Sequence, residues 1–441
     1  MIINKIINFS QNLLRPIYQN SYFLQKIDWL IFATIILIIF SSIWAPSDNI
    51  AYFAIFTIIL TGVKILTKPN EKFELTKADK FLLLYFLFVL ISVAGSTLFM
   101  HSVKGFFKTI VYLGFYVSFV HYLKDNISKL KYIFITFAFL AFVESILAIY
   151  QNFQAVSEIS GWQDMSRLNP EQVMTRVYGS LKPLNPNLFG GYMLAILPAN
   201  LILIFLPLIN KHKKTALFGT ACLILSLVTV VLTGCRGAYI GLFTELIALV
   251  LLTYHYLKPY YKKIFLYFCG LFALISSIVI VSLSSVRTRI FSIFAMRNDS
   301  SNSFRFNVYN SCLDMFKDNW LLGIGVGNQN FREIYGLYMK TGFDALSAYN
   351  IYLETAVESG IFALLAFLGF ISYNMYLAIK YLLKRKNAHS IYIAIALLSI
   401  IGLLVHGLVD TVFFRPQIQF VFWIMVGIIR VITSRGKGVK G

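Results

Sequence analysis

The chain of 441 residues is 58% hydrophobic, and only 13% of its residues are charged. A soluble protein of this length forms two or three domains and carries about a quarter charged residues. The composition therefore excludes a soluble globular protein. The formal net charge of +20 comes mainly from lysine clusters between apolar stretches, so it indicates membrane topology rather than nucleic-acid binding.

Apolar stretches of about 18–22 residues follow one another along the chain, and each is long enough to cross a hydrocarbon core of roughly 30 Å as a helix. They predict an all-α polytopic membrane protein with about twelve transmembrane helices. The predicted spans are about 28–46, 50–67, 81–98, 105–122, 131–151, 189–208, 215–233, 238–256, 264–284, 349–378, 389–410 and 413–430.

The start of the chain carries Lys5, Arg15 and Lys26 before an apolar stretch that is too long for a cleaved secretory signal. We expect an uncleaved signal anchor with its N-terminus in the cytoplasm. The positive-inside rule then predicts a multi-pass protein of the inner (plasma) membrane with both termini cytoplasmic. The lysine-rich inner clusters are Lys64, Lys68, Lys72, Lys77 and Lys80; Lys211, Lys213 and Lys214; Lys258, Lys262 and Lys263; and Lys380, Lys384, Arg385 and Lys386.

Two long segments connect spans on the opposite, extracytoplasmic side. We expect residues 1–284 to form transmembrane helices 1–9 with a smaller outer loop at about 152–188. Residues 285–348 form a large outer loop between spans 9 and 10, and residues 349–441 form the C-terminal helices and a cytoplasmic tail. The four cysteines show neither metal-ligand nor disulfide spacing. The sequence predicts no metal and no cofactor, and it carries no signal of oligomeric state.

Arginine is distributed differently from lysine, because it concentrates in the outward segments. A guanidinium binds carboxylate or phosphate oxygens through two parallel hydrogen bonds, whereas lysine offers a hydrated point charge. The arginines predict an outward-facing site for phosphate, pyrophosphate, bicarbonate or an acidic sugar. The alternative is pairing with acidic residues of the same loops or with lipid headgroups. The outward arginines are Arg167, Arg176, Arg236, Arg287, Arg289, Arg297, Arg305, Arg332 and Arg415.

Arg236 lies in 231-VLTGCRGAYIGL-242, between two apolar stretches and among small residues. Gly234, Gly237 and Ala238 allow backbones to approach closely, which suits a crowded contact with either a ligand or a helix. Gly237 and Ala238 also begin a helix, whose free N–H groups and dipole favour anions. Arg236 is therefore the leading candidate for anion binding and catalysis. The alternative is a short hairpin whose arginine reaches the membrane interface.

The first outer loop contains 174-MTRVYGSLKPLNPNLFGGYML-194. Arg176 is a second candidate anion-binding residue. Asn187, in the Asn-Pro-Asn turn, is expected to cap the following helix. Gly190 and Gly191 predict close packing of that helix against its neighbours.

The large outer loop contains Arg305, a third candidate for anion binding. Apolar residues at helical spacing predict an amphipathic helix over 304–318, on the membrane face or over the bundle. The glycines of 321-LLGIGVGNQNFREIY-335 resemble a phosphate-binding loop only weakly, because no Walker lysine follows them. We expect a turn before a second short helix that is capped by Asn328 or Asn330.

Asn350, Glu354 and Glu358 are spaced four residues apart, so they share one face of a predicted span. Two carboxylates at this spacing repel if both are charged. We expect outer arginines as their partners, or a proton on one of them. The pair is either structural, or Glu354 is a general base beside an anion site. Glu144 and Glu245 are further carboxyl groups inside predicted spans, and each is a functional candidate.

These motifs together resemble the O-antigen ligase/polymerase superfamily. The resemblance covers roughly residues 174–375, and it depends on the order of "NPN", "CRGAYIG", "GIGVGNQNF" and "YNIYLETAVESG". It implies a helical bundle with a large periplasmic loop of short helices over the site. It also implies a polyprenyl-pyrophosphate-linked glycan as donor, transferred without a metal to lipid A core, protein or another glycan. By this resemblance Arg236 matches the family arginine that binds the donor pyrophosphate.

The chain departs from the family pattern at one position of the proposed site. The ligases carry His-Asn where this chain has Tyr349 and Asn350, and that histidine is their proposed acceptor-activating residue. Tyrosine, with a pKa near 10, is a poor base at neutral pH. The candidates here are Tyr349 at the histidine position, Asn350 as a donor-binding residue, and Glu354 as a replacement base.

The variant "ALSAYNIYLE", with "RNDSSNSFRFNVY" upstream, is most similar to a cyanobacterial branch of the superfamily. Its members are commonly named bicarbonate transporters or inorganic-carbon-accumulation proteins. The sequence shows no inverted repeat and no paired broken helices, which secondary transporters often have. Three functions stay open: a glycan transferase, a component of bicarbonate transport or accumulation, and a non-catalytic membrane partner.

Overall fold

The computed structural model describes residues 2–73, 75–154 and 176–435. Arg167 lies outside the described residues, within which every regular element is a helix; this confirms the all-α prediction. The helices are α1 (Ile2–Asn20), α2 (Tyr22–Gln25), α3 (Ile27–Trp44), α4 (Ser47–Thr67), α5 (Lys77–Ala94), α6 (Phe99–Asp125), α7 (Leu130–Phe153), α8 (Pro186–Ile196), α9 (Asn200–Ile209), α10 (Lys213–Leu232), α11 (Arg236–Tyr256), α12 (Pro259–Ser282), α13 (Ser284–Phe291), α14 (Ser300–Asn319), α15 (Asn328–Tyr335), α16 (Ile351–Lys384), α17 (Ala388–His406) and α18 (Pro416–Arg435).

Eleven helical stretches of the described chain are long and apolar enough to cross a membrane, and each coincides with a predicted span. α8 and α9 form one of them together, joined by a 3₁₀ turn at Leu197–Ala199. The remaining predicted span, 81–98, coincides with α5, which carries Lys77, Asp79 and Lys80 near its start. The protein is therefore a polytopic bundle of membrane-spanning helices.

α18 is the central helix of the bundle. Of its membrane-spanning stretch, 94% is buried inside the protein, and it packs against α3, α4, α6, α8, α16 and α17. The ring of Trp423 lies 5.3 Å from that of Tyr116 and 5.9 Å from that of Phe370. Helices in a membrane associate through close packing rather than through exclusion of water. These aromatic contacts therefore hold α6 and α16 against α18, at the span predicted over 413–430.

The two ends of the bundle differ in their charged groups. At one end, which we call the arginine end, lie the start of α11 with Arg236 and the large connecting segment with Arg305. At the other end, Lys64 is fully buried, and its Nζ lies 2.8 Å from Asp28 Oδ1 and 3.3 Å from Asp125 Oδ2. The arginine and lysine groups that the sequence separates thus lie at opposite ends of the helices.

α12 stands apart from the rest of the bundle. None of its 24 residues is buried, and it makes only a few contacts with α11 and with α13, which follows it. At the end opposite the arginine end, Lys262 Nζ lies 4.5 Å from the ring centroid of Tyr254 on α11. α12 therefore packs only loosely against α11.

α16 is interrupted at Gly360, whose φ of 77° and ψ of 174° are not helical. The interruption frees helical carbonyl groups, and the loop 320–327 supplies donors for them. Gly325 N donates to Glu358 O at 2.9 Å. The loop approaches so closely that a Cβ added to Gly360 would lie 2.2 Å from Leu321 O.

The glycines of loop 320–327 allow it to lie close to both α16 and α6. A Cβ on Gly323 would lie 2.4 Å from Glu358 O of α16, whereas one on Gly325 would lie 2.5 Å from Ser102 Oγ of α6. This confirms the predicted turn before a short helix, α15. α15 has no side-chain cap, because its N-cap is a glycine with positive φ, so the prediction of a cap by Asn328 or Asn330 is wrong. The glycines and their φ values are Gly323 at 74°, Gly325 at 98° and Gly327 at 124°.

Two other local predictions have different outcomes. The helix predicted over 304–318 is α14, and the side chain of Asp299 caps it by accepting from Asn302 N at 2.9 Å. The prediction that Asn187 caps α8 is wrong. Asn185 is the cap, and it accepts from Asn187 N at 2.7 Å. Pro186 with its fixed φ suits the first helical position, which makes the preceding residue the cap.

We predict that Gly360→Ala destabilises the protein by about 2–4 kcal/mol, because the added methyl group meets Leu321 O at a backbone φ that favours glycine. Thermal unfolding in detergent should show an apparent Tm lowered by about 2–4 °C. Gly270→Ala is the matched control, since nothing lies within 4 Å of a Cβ at Gly270. An equal Tm for the two variants would contradict the proposed docking of the loop.

Candidate functional site

Arg236 is the first residue of α11 and is 6% exposed. It follows a tight turn at 233–235, in which Gly234 has a φ of 61°. Arg236 Nη1 lies 2.8 Å from Asp299 Oδ1 and 3.3 Å from Ser292 Oγ. Asp299 therefore has two roles, because it caps α14 and pairs with the arginine that begins α11. We call residues 233–236 the arginine turn.

Two further arginines bind the backbone of the arginine turn. Arg176 Nε donates to Thr233 O at 2.9 Å, and its Nη2 donates to Asn187 Oδ1 at 2.5 Å. Arg289 Nε donates to Gly234 O at 2.7 Å. Three guanidinium groups from three separate segments thus converge on one turn.

Arg289 is the member of this set that the sequence did not single out. Burial, together with the neighbouring Arg176 and Arg236, lowers the pKa of Arg289 to about 10. Such a depression records repulsion between like charges in a partly desolvated place. An anion that bound between these guanidinium groups would relieve the repulsion.

Arg305 joins the same region through Asp410. Arg305 Nη2 lies 3.3 Å from Asp410 Oδ2, and Asn187 Nδ2 donates to the same oxygen at 3.1 Å. Because Asn187 also accepts from Arg176, a continuous chain of polar contacts connects Arg305 with the arginine turn. Asp410 was not predicted from the sequence, where it stands alone after a long apolar stretch.

We call Arg176, Arg236, Arg289 and Arg305, with Asp299 and Asp410, the arginine cluster. Its four guanidinium groups face two carboxylates, and neither Arg176 nor Arg289 forms an ion pair with another described residue. Two positive charges are therefore left without an acidic partner in this part of the chain. A buried cationic surplus of this kind favours an anionic ligand.

The small residues around Arg236 are used for helix packing. A Cβ on Gly190 would lie 2.9 Å from Cys235 Cβ, and one on Gly237 would lie 2.7 Å from His406 Cδ2. The His406 ring is 1% exposed, and its Nε2 lies 3.4 Å from Cys235 Sγ. The sequence allowed a crowded contact with either a ligand or a helix, and the described residues show the contact between helices.

Tyr349 and Asn350 lie beside Arg305 rather than beside Arg236. The guanidinium of Arg305 lies 5.7 Å from the Tyr349 ring centroid. Burial, followed by the nearby carboxylate of Asp410, raises the pKa of Tyr349 to about 12, so its hydroxyl is not a base at neutral pH. Asn350 caps α16 by accepting from Tyr352 N at 2.9 Å. Its Nδ2 donates to Leu408 O at 3.0 Å, which ties it to the backbone.

Glu354 and Glu358 do not pair with arginine within the described chain, so the prediction of arginine partners is wrong. Glu354 Oε2 accepts from Ala348 N at 2.9 Å, and Glu358 Oε1 accepts from Gly327 N at 3.0 Å. Each carboxyl group accepts from a backbone N–H group that would otherwise have no partner. For Glu354 this N–H group lies in the segment before α16, and for Glu358 it lies in the glycine loop. The face that these residues share is therefore occupied by backbone.

Comparison with known proteins supports the superfamily indicated by the motifs. Residues 221–368 match the O-antigen ligase family; this segment includes Arg236, Asp299 and Arg305, whereas Arg176 and Asp410 lie outside it. An uncharacterized protein of Haemophilus influenzae is 27% identical to this chain over 232 residues. The alignment covers 49% of this chain and 56% of that protein, so the chain spans about half the length of the curated relative it matches.

We predict that Asp410→Asn destabilises the protein by about 2 kcal/mol, because it removes the charge that Arg305 and Asn187 share in a buried place. The measurement is the apparent Tm in detergent. Asp344→Asn serves as the control, since Asp344 is an exposed carboxylate 3.8 Å from Arg332, and it should change stability by less than about 0.5 kcal/mol. Equal effects would show that the contact chain through Asp410 does not stabilise the fold.

Proposed function

We propose that this protein is a member of the O-antigen ligase superfamily that transfers or polymerises a glycan from a polyprenyl-pyrophosphate donor. The observation that carries the proposal is the arginine cluster at one end of a membrane-spanning bundle, in which the positive charges exceed the negative ones by two among the residues that the structure describes. The family match over residues 221–368 supports it, because the matched segment contains the arginine turn.

The charge of the cluster suits a pyrophosphate group. A pyrophosphate that links a lipid and a sugar carries two negative charges, which equals the surplus of the cluster. Guanidinium groups bind phosphate oxygens with paired hydrogen bonds. They would also stabilise the charge that develops on the pyrophosphate as the sugar leaves. Bicarbonate, the alternative ligand, carries a single negative charge and would leave part of the surplus uncompensated.

The position of α12 suits a donor that is anchored in the membrane. A lipid-linked substrate must reach the site sideways from the bilayer. α12 has no buried residue and packs only loosely against α11, and Arg236 at the start of α11 and Arg289, just after α12, lie at the same end of these two helices; in this proposal the donor enters between them. In this proposal the lipid chain stays in the bilayer while its pyrophosphate enters the arginine cluster.

The residues take separate roles in the proposed reaction. Arg176, Arg236 and Arg289 hold the pyrophosphate, and Arg305, oriented by Asp410, contacts the donor or the acceptor. Glu354 is the proposed base that accepts the proton of the attacking hydroxyl, with Tyr349 and Asn350 positioned beside Arg305. Transfer that is unaffected by Glu354→Gln would remove Glu354 from this role.

The proposed orientation places the arginine end outside the inner (plasma) membrane. Lysine clusters mark the cytoplasmic side by the positive-inside rule, which puts both termini in the cytoplasm. Residues 285–348 then lie on the extracytoplasmic side, where α14 contributes Arg305 and is capped by Asp299 of the arginine cluster. This is the side on which a donor that has already crossed the membrane is available.

We predict that Arg236→Ala lowers glycan transfer by about 10²–10³-fold, the usual effect of removing one group that stabilises transition-state charge. The measurement is the level of lipid-linked glycan in a strain that lacks the protein and is complemented with each variant. Donor should accumulate in the deletion strain and with Arg236→Ala, and it should be consumed with the wild-type protein.

Two controls separate loss of function from loss of fold. Arg332→Ala removes an outer arginine that lies outside the cluster, and it should restore transfer fully. Arg236→Lys keeps the positive charge but loses the paired hydrogen bonds, so it should restore transfer in part. Unchanged donor in every strain, with the proteins present in the membrane, would refute the transferase proposal.

A further inference from the structure

Four glutamates lie within the membrane-spanning helices: Glu144, Glu245, Glu354 and Glu358. Three of them accept hydrogen bonds; Glu354 and Glu358 do so from backbone as described, and Glu144 Oε2 accepts from Ser180 N at 3.0 Å. Glu245 is different. It is 3% exposed, and neither of its carboxyl oxygens has a hydrogen-bond partner among the described residues.

The Glu245 side chain is at the wall of a cavity between α9, α10, α11 and α17. The other residues that line the cavity are eight leucines and Pro198. The outer wall includes Leu223, Leu227 and Leu246, which are half-buried and therefore lie at the lipid-facing surface of the bundle. The wall of this cavity is entirely apolar, because Glu245 contributes only the apolar part of its side chain to it, and its carboxyl oxygens are buried behind the wall, against Gly402 of α17.

The Glu245 carboxyl group lies where α17 has a glycine, Gly402, and therefore no side chain. A Cβ added to Gly402 would lie 1.9 Å from Glu245 Oε1, and a Cβ added to Gly241 would lie 2.9 Å from Gly402 O. α11 and α17 therefore approach closely through small residues, with the Glu245 carboxyl group against Gly402. The contact fixes the position of the carboxyl group without supplying a donor for it.

The surroundings favour an uncharged carboxyl group. An ionised carboxylate in an apolar environment requires a cation or several hydrogen-bond donors, and the lining of the cavity offers neither. Besides Glu245, none of the titratable residues on the surrounding helices lines the cavity. They are Tyr192 on α8; Lys213, Lys214 and Cys222 on α10; Arg236, Tyr239, Tyr254, His255 and Tyr256 on α11; and His389, Tyr392 and His406 on α17. Tyr192 Oη bonds to Ser42 Oγ at 2.6 Å, and His406 Nε2 lies next to Cys235 Sγ.

We propose that Glu245 is a proton-binding site within the membrane, which holds its proton at neutral pH and is reached from the lipid phase through the leucine-lined cavity. The site is separate from the arginine cluster, and it stands whether or not the protein transfers glycans. A carboxyl group without partners does not stabilise the fold. Its place in the bundle is explained by binding and release of a proton.

A lipid-soluble carbodiimide tests this assignment directly. The proton of the carboxyl group moves to one carbodiimide nitrogen, and the carboxyl oxygen bonds to the central carbon to give an O-acylisourea. Migration of the acyl group to nitrogen then gives a stable N-acylurea. The reaction is an addition, so the modified residue gains the whole mass of the reagent. It requires both the proton and access from the apolar phase.

The experiment treats the purified, full-length protein in detergent with dicyclohexylcarbodiimide and identifies the modified peptides by mass spectrometry. We expect modification of Glu245, reduced at alkaline pH, and at least tenfold less modification of Glu144, which is equally buried but hydrogen-bonded. Glu245→Gln should abolish the label at this peptide. A folded protein that stays unlabelled at Glu245 under mildly acidic conditions, or that is labelled equally at Glu144, would overturn the proposal.

A second variant separates a proton-binding role from a structural one. Glu245→Leu replaces the unpaired carboxyl group by an apolar side chain of similar volume. We expect an apparent Tm that is unchanged or raised by about 2 °C. A Tm lowered by several degrees would show that the carboxyl group supports the fold, and it would overturn the proposal even if Glu245 is labelled.

Discussion

The arginine turn is the constraint on which the arrangement of the arginine end depends. Its carbonyl groups at Thr233 and Gly234 accept from Arg176 and Arg289, and Arg236, which follows them, pairs with Asp299. The segment before α8 and the large segment after α12 are therefore both fastened to one short connection. Backbone carbonyl groups at the end of a helix need donors. Here guanidinium groups supply them, so the end of α10 also determines where three positive charges meet.

This way of anchoring the segments concentrates like charge. Burial first, and then repulsion from Arg176 and Arg236, lowers the pKa of Arg289 to about 10. One carboxylate, that of Asp299, lies directly against Arg236. The charge of Arg305 is compensated by Asp410, which Asn187 connects to Arg176. A protein that needed these arginines only as structural anchors could use neutral donors at the same carbonyl groups. The retained charge is the feature on which the proposed anion-binding role depends.

Sequence patterns predicted the spans well, since continuous apolar stretches are sufficient to define membrane helices. They also singled out Arg236, a cation among small residues, and the structure places it at the arginine turn; its role stays a prediction. They named Arg289 only as one of nine outward arginines and did not name Asp410, because nothing local distinguishes one loop arginine or one aspartate from another. The shared face of Glu354 and Glu358 was read correctly from helical spacing. Their hydrogen-bond partners were predicted wrongly. The break at Gly360 brings the glycine loop to this face, and the apolar pattern of the sequence does not reveal that break.

The separate position of α12 connects the lipid phase with the arginine cluster. With no buried side chain, α12 is held mainly at its ends. At one end Lys262 lies over the ring of Tyr254, and at the other α13 carries Arg289 to Gly234 O. Close packing, which holds α18 in place, contributes almost nothing to α12. The contact of Arg289 with Gly234 O therefore has two consequences: it fastens the end of α12 to the arginine turn, and it places a third guanidinium group beside Arg176 and Arg236.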